Sequence, residues 1–94
     1  MKKVKLELRD GKDRCALHNY LARELSLPAY YGKNLDALYE CLAEYPEPLC
    51  VGIYTGGSAL KDRYLSRVIQ VFKDAEAENE RLCVFFFFGR DRRR

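Results

Sequence analysis

Leu49-Cys50-Val51-Gly52-Ile53-Tyr54 is a short apolar run, preceded by Pro46 and Pro48 and closed by Gly56-Gly57. A run of this length bounded by turn formers reads as a buried strand. It lies between two stretches of helical periodicity, and that setting decides the fold class. Toward the N-terminus, Leu35, Leu38 and Leu42 recur at i, i+3 and i+7 behind Asn34, a residue suited to cap a helix, and Pro46 ends the pattern. Further back, Asp13 can cap a helix carrying Leu17, Tyr20, Leu21 and Leu25, which Pro28 terminates. Val4, Leu6 and Leu8 alternate with charged residues ahead of Asp10-Gly11, as in a strand entering a turn.

Toward the C-terminus, Ser58 is placed to cap a long helical stretch through Leu60, Tyr64, Leu65, Val68, Ile69 and Phe72 to about Glu78, which Ser66 divides if the stretch is two helices. Leu82-Cys83-Val84 followed by Phe85 to Phe88 is apolar at every position, which predicts a strand covered on both faces. The order strand, two helices, strand, helix, strand predicts an α/β fold: a small three-stranded parallel sheet with right-handed crossovers and three to four helices packed against it.

Ninety-four residues support one hydrophobic core, and 48% hydrophobic with 33% charged residues is the balance of a folded domain. The lysines of the N-terminus have no apolar segment behind them, and no stretch is long enough to cross a bilayer, so a cytoplasmic protein without membrane contact is expected. Cys15, Cys41, Cys50 and Cys83 form no CxxC pair and are accompanied by one histidine, so neither a metal site nor a cofactor is expected and the thiols read as reduced and mostly buried. No acid, base and nucleophile cluster and no glycine-rich phosphate loop is present, so the chain reads as a non-enzyme with no catalytic residues. His18, near the apolar stripe of its helix, reads as a hydrogen-bonded structural residue, and Cys41 as a small, partly buried one.

The net charge of +3 sits in the last five residues: without Arg90-Asp91-Arg92-Arg93-Arg94 the remainder has 13 basic and 13 acidic residues. The division is therefore a neutral domain over 1–89 and a basic tail over 90–94, either a solvated terminus or a polyanion-binding arm. The phenylalanine run reads as core, not as a base-stacking platform, because no basic residues interleave it. A monomer that needs no nucleic acid is the default.

The segment 27–44, LPAYYGKNLDALYECLAE, carries the function. If Leu35, Leu38 and Leu42 are buried, Asp36, Tyr39, Glu40 and Ala43 share the solvent-facing ridge. Ahead of it Tyr30, Tyr31 and Gly32 form a loop in which glycine can take a positive φ and turn the tyrosines outward. Acidic residues early in a helix also stabilise its dipole, and a charged stripe is often only a wet face. As a cluster, however, carboxylates and rings suit a basic, concave partner, and from 27 to 44 only Lys33 opposes Asp36, Glu40 and Glu44.

LP-x-YYG-x-NLDALY-x-CL resembles the signature segment of the barstar family of ribonuclease inhibitors. The N-terminal strand, Leu17-His18 with Glu24-Leu25, and the helix from Val68 to Glu78 agree in order. The resemblance implies a barstar-like domain over 1–89 that inhibits a secreted guanyl-specific ribonuclease as its antidote or immunity protein. By that resemblance Glu40 mimics the substrate phosphate, Asp36 pairs with a second basic group, Tyr30 stacks at the rim, Asn34 hydrogen-bonds the partner, Tyr39 covers the helix edge and Asp74 is a peripheral acidic contact. Gly32, Ala43 and Glu44 complete the expected partner-binding set. The family pattern has aspartate at Glu40, tryptophan at Tyr39 and glutamate at Asp74, so a different toxin or effector is the alternative partner, and weak RNA binding through the tail a further one.

Overall fold

The computed structural model describes residues 1–8, 13–55 and 62–88. Three strands, β1 (Lys2–Leu8), β2 (Leu49–Thr55) and β3 (Leu82–Phe88), form one parallel sheet in the order β1-β2-β3. Helices α1 (Arg14–Leu25) and α2 (Leu35–Ala43) connect the first pair, and α3 (Arg63–Glu78) the second. Three helices are thus present among the described residues. The register pairs Leu6 with Ile53 and Ile53 with Phe86, so alternate residues of all three strands share a face.

One of those faces is the core. Leu6, Leu8, Leu49, Val51, Ile53, Leu82 and Val84 point into it and meet Leu17, Leu21, Leu25, Leu38, Leu42, Leu65, Val68 and Phe72 from the helices. With right-handed crossovers and strands laid down in sequence order, every helix falls on that side. The opposite face carries Lys3, Lys5 and Glu7 of β1, Tyr54 of β2, and Cys83, Phe85 and Phe87 of β3, all exposed. This corrects the expectation for the last strand: Phe85 is 51% and Phe87 46% exposed, because helices cover only one side of the sheet. Tyr54 in β2 is likewise on the open face, at 39%. The thiols are also less buried than composition suggests, Cys15 and Cys83 being exposed and Cys41 and Cys50 intermediate.

Side chains from the helices reach both edges of the sheet. The Tyr20 hydroxyl accepts a hydrogen bond from the Glu7 amide of β1 at 2.9 Å, and the Glu76 carboxylate accepts one from the Val84 amide of β3 at 2.8 Å. One amide on each edge strand is thus withheld from pairing with another strand. Helix starts follow local capping rules: Asp13 accepts from the Ala16 amide, Asn34 from Ala37, and Asp62 from Tyr64 and Leu65. α3 begins behind Asp62 and runs unbroken through Ser66, so Ser66 divides nothing there. Ser58 and Leu60 lie outside the described residues.

Asn79 binds the end of α2 to the turn between α3 and β3. Its Nδ2 donates to the Leu42 carbonyl at 3.0 Å and its Oδ1 accepts from the Arg81 amide at 3.0 Å, with the side chain buried. Asn79→Ala leaves both groups without that partner and is expected to cost about 1–3 kcal/mol, the cost of an unsatisfied buried group, read as a lowered urea midpoint at unchanged slope.

Candidate partner-binding site

The loop joining α1 to α2 is shaped by two residues in the left-handed region. Ser26, at φ 55°, ends α1, while the Leu27 amide donates to the Ala22 carbonyl at 2.9 Å. Lys33, at φ 56°, makes the turn into α2. The positive φ expected at Gly32 therefore falls one residue later. Space at Gly32 is tight: a Cβ there would lie 3.3 Å from Asn34 Nδ2, which would have to give by a few tenths of an ångström, and 3.4 Å from Ala37 Cβ, an ordinary contact. Asn34 then caps α2, its Oδ1 accepting from the Ala37 amide at 2.7 Å while its Nδ2 donates to the Gly32 carbonyl at 3.4 Å.

The two tyrosines part company. Tyr30 is 86% exposed, but Tyr31, expected to face outward, is buried at 6%. The cause is His18 of α1, whose Nδ1 lies 2.5 Å from the Tyr31 hydroxyl and whose Nε2 lies 2.6 Å from the Tyr64 hydroxyl of α3. A neutral imidazole donates at one nitrogen and accepts at the other, so one hydroxyl accepts from the ring and the other donates to it. Burial holds the His18 pKa below its ordinary value, and burial, then Cys41 and Tyr64, raise that of Tyr31. The structural role expected for His18 is what the geometry shows.

Along α2 the exposed side bears Asp36 and Glu40, with Tyr39 and Ala43 half-buried and Glu44 exposed at the C-cap. Among the described residues no cation lies within 4 Å of the Asp36, Glu40 or Glu44 carboxylates. Their charge is instead felt by Cys41, whose thiol pKa is raised by burial first and by Glu40 and Glu44 next. That keeps the thiol protonated and unreactive.

Glu40 and Glu44 stand over a hollow of about 540 Å³ that also takes in Tyr30, Gly32, Tyr45 and Glu47. Tyr45 is its buried brace: the hydroxyl donates to the Leu25 carbonyl at 2.7 Å and accepts from Lys2 Nζ at 2.9 Å. Of the residues singled out by sequence, Tyr30, Gly32, Glu40 and Glu44 line this hollow, whereas Asn34, Asp36, Tyr39 and Ala43 flank it along α2. Asp74 sits apart on α3, exposed, accepting from Gln70 Nε2 at 2.9 Å. Lys2, Tyr45 and Glu47 were not singled out. Lys2 is 43 positions from Tyr45 and reaches it only through the pairing of β1 with β2, which no local pattern reports.

The fold is a small α/β domain, a parallel three-stranded sheet under three helices, with exposed carboxylates and an exposed ring on one loop-helix segment. Among the described residues no metal-binding cluster and no helix long and apolar enough to cross a membrane is found. The family model described as "Barstar (barnase inhibitor)" matches residues 1–89. A protein of Bacillus subtilis (strain 168), named "Putative ribonuclease inhibitor YrdF", is 32% identical over 81 residues, covering 83% of this chain and 89% of the relative. The chain belongs to the barstar family.

Because the folded pKa of His18 lies below its unfolded value near 6.5, the unfolded chain binds the extra proton first as pH falls. The stability that the neutral ring contributes is complete above about pH 6.5 and is lost as pH falls toward the folded pKa. Urea unfolding between pH 7.5 and 5 is expected to show wild type losing stability relative to His18→Gln over that window, with parallel curves above it.

Proposed function

We propose that this chain is an antidote protein that inhibits a secreted guanyl-type ribonuclease by seating the loop-helix face of residues 30–44 in the enzyme's active site. The observation that carries this is the set of exposed carboxylates on α2, with no cation within 4 Å among the described residues, beside the projecting Tyr30. An active site that binds RNA must hold cationic groups for the phosphates, and a carboxylate offered among them takes the place of the substrate's charge. Membership of the barstar family and the name of the Bacillus relative support the same partner class.

In this reading Glu40 stands in for the phosphate at the centre of the contact. Asp36 meets a second cation at the mouth, Tyr30 lies on the rim, and the exposed Asn34 hydrogen-bonds the enzyme. Tyr39 closes the helix edge, Gly32 and Ala43 allow close approach, and Glu44 and Asp74 are peripheral charges. The inhibitor domain spans 1–89, acts as a monomer inside the producing cell, and carries out no chemistry itself. Glu40 reaches one methylene further than the aspartate of the family pattern, so the cognate enzyme has a correspondingly deeper or wider cationic pocket.

Inhibition constants against a guanyl-specific ribonuclease test this. Glu40→Ala strands desolvated cations and is expected to weaken inhibition by about 3 kcal/mol or more, over a hundredfold, at unchanged thermal stability. Asp74→Ala, a rim change, is expected to cost at most about 1 kcal/mol. Equal effects of the two variants, or none from Glu40→Ala, would remove Glu40 from the centre of the contact.

A further inference from the structure

The open face of the sheet carries two thiols side by side. The register crosses that face in three rows: Lys3 with Cys50 and Cys83, Lys5 with Gly52 and Phe85, and Glu7 with Tyr54 and Phe87. Cys50 of β2 and Cys83 of β3 are therefore direct partners on the side away from the helices. Neighbouring strands run about 4.8 Å apart, and paired residues of a parallel ladder point the same way. That spacing falls within the ~4.4–6.8 Å that separates the α-carbons of a disulfide, so the two sulfurs are within bridging reach. The row is pinned before and after the pair. The Leu49 amide donates to the Arg81 carbonyl at 2.9 Å, and the Val84 amide donates to the Glu76 carboxylate at 2.8 Å. Cys83 is exposed and Cys50 half-buried, both as free thiols, whereas Cys15 and Cys41 stand on α1 and α2, across the sheet.

We infer that Cys50 and Cys83 form a reversible disulfide, a modification site whose reagent is a small-molecule disulfide of the oxidised-glutathione class. Cys83, the exposed thiol, attacks first: its thiolate displaces one sulfur of the reagent, which leaves as a thiol, and a mixed disulfide remains on Cys83. Cys50, adjacent and half-buried, then attacks the Cys83 sulfur and releases the second thiol. The protein gives up two electrons and two protons, the reagent takes both up as two thiols, and no other reactant enters. Paired β-carbons of parallel strands stand side by side at about the strand spacing, wider than the ~3.8 Å that a disulfide favours, so the bond is strained and readily reduced again. Such a bond follows the thiol-disulfide balance around the protein instead of stapling the fold permanently. Both thiols lie across the sheet from α2, so the site works apart from the loop-helix face of 30–44.

Mass spectrometry of the full chain, incubated natively with oxidised glutathione, quenched in acid and then alkylated in urea, tests the inference. Two of the four cysteines are expected to escape alkylation, with one cross-linked peptide pair holding Cys50 and Cys83. Excess reduced glutathione restores all four alkylation sites. Cys50→Ser removes the second attack and is expected to accumulate a glutathione adduct on Cys83, roughly tenfold above the wild-type level. Cys83→Ser leaves the half-buried Cys50 mostly unmodified, and Cys15→Ser/Cys41→Ser oxidises as the wild type does. Near-ultraviolet circular dichroism is expected to stay native for the variants and through oxidation, since neither thiol belongs to the core. Four alkylated cysteines after oxidation, a disulfide that includes Cys15 or Cys41, or one between two chains overturns the inference. So does oxidation that proceeds only once the native dichroism is lost, which assigns the bond to the unfolded chain.

Discussion

One imidazole decides where the loop between α1 and α2 can be. His18 is enclosed by α1, the loop and α3, and each of its nitrogens is satisfied by a tyrosine hydroxyl from a different element. A hydrogen bond of this kind contributes modestly when made, but a buried ring nitrogen or hydroxyl left without a partner costs about 1–3 kcal/mol, so the three groups hold one another in place. Arg14 adds a lid, its guanidinium 4.3 Å from the centre of the Tyr64 ring. Tyr31 is thereby drawn inward, and the neighbouring Tyr30 is left to project. The path from there is short: Lys33 turns the chain, Asn34 caps α2, and the carboxylates of Asp36 and Glu40 follow at fixed angles on the helix. A loop held in one conformation before contact loses less entropy on association, so in the proposed function a buried histidine would serve recognition without touching the partner.

The same architecture explains what could be read from the sequence. Helix caps at Asp13 and Asn34 were legible because a cap is a contact between a side chain and an amide two or three residues away. The acidic ridge of α2 was legible because 3.6-residue periodicity sorts Leu38 and Leu42 from Asp36 and Glu40 once one face is apolar. Which of Tyr30 and Tyr31 turns inward was not, since that choice belongs to His18, 13 residues earlier, and Tyr64, 33 residues later. Both tyrosines are equally apolar and equally large, and only the hydroxyl's partner separates them.

The last strand shows the opposite difficulty. Burial in a one-sided sheet appears as alternation, and alternation is invisible where every residue is phenylalanine. From Phe85 to Phe88 the sequence is uniform, so two-sided burial and one-sided burial predict the same letters. β1 held the clue: its alternation of Lys3, Lys5 and Glu7 with Val4, Leu6 and Leu8 marks a sheet with one wet face, and parallel strands in register share their faces. Reading each strand by itself discarded that constraint.

Opposed faces also change what a balanced charge means. The domain without its last five residues carries as many acids as bases, which argues against long-range steering. Yet the acids of α2 and the Lys3 and Lys5 side chains of β1 lie on opposite sides of a helix-plus-sheet sandwich, and one helix alone is about 10 Å across, more than the ~8 Å screening length at physiological salt. A cationic enzyme approaching α2 therefore meets Asp36, Glu40 and Glu44 with Lys3 and Lys5 screened from it. A balanced total therefore does not set the field at α2: the charge that governs association at a face is the charge of that face.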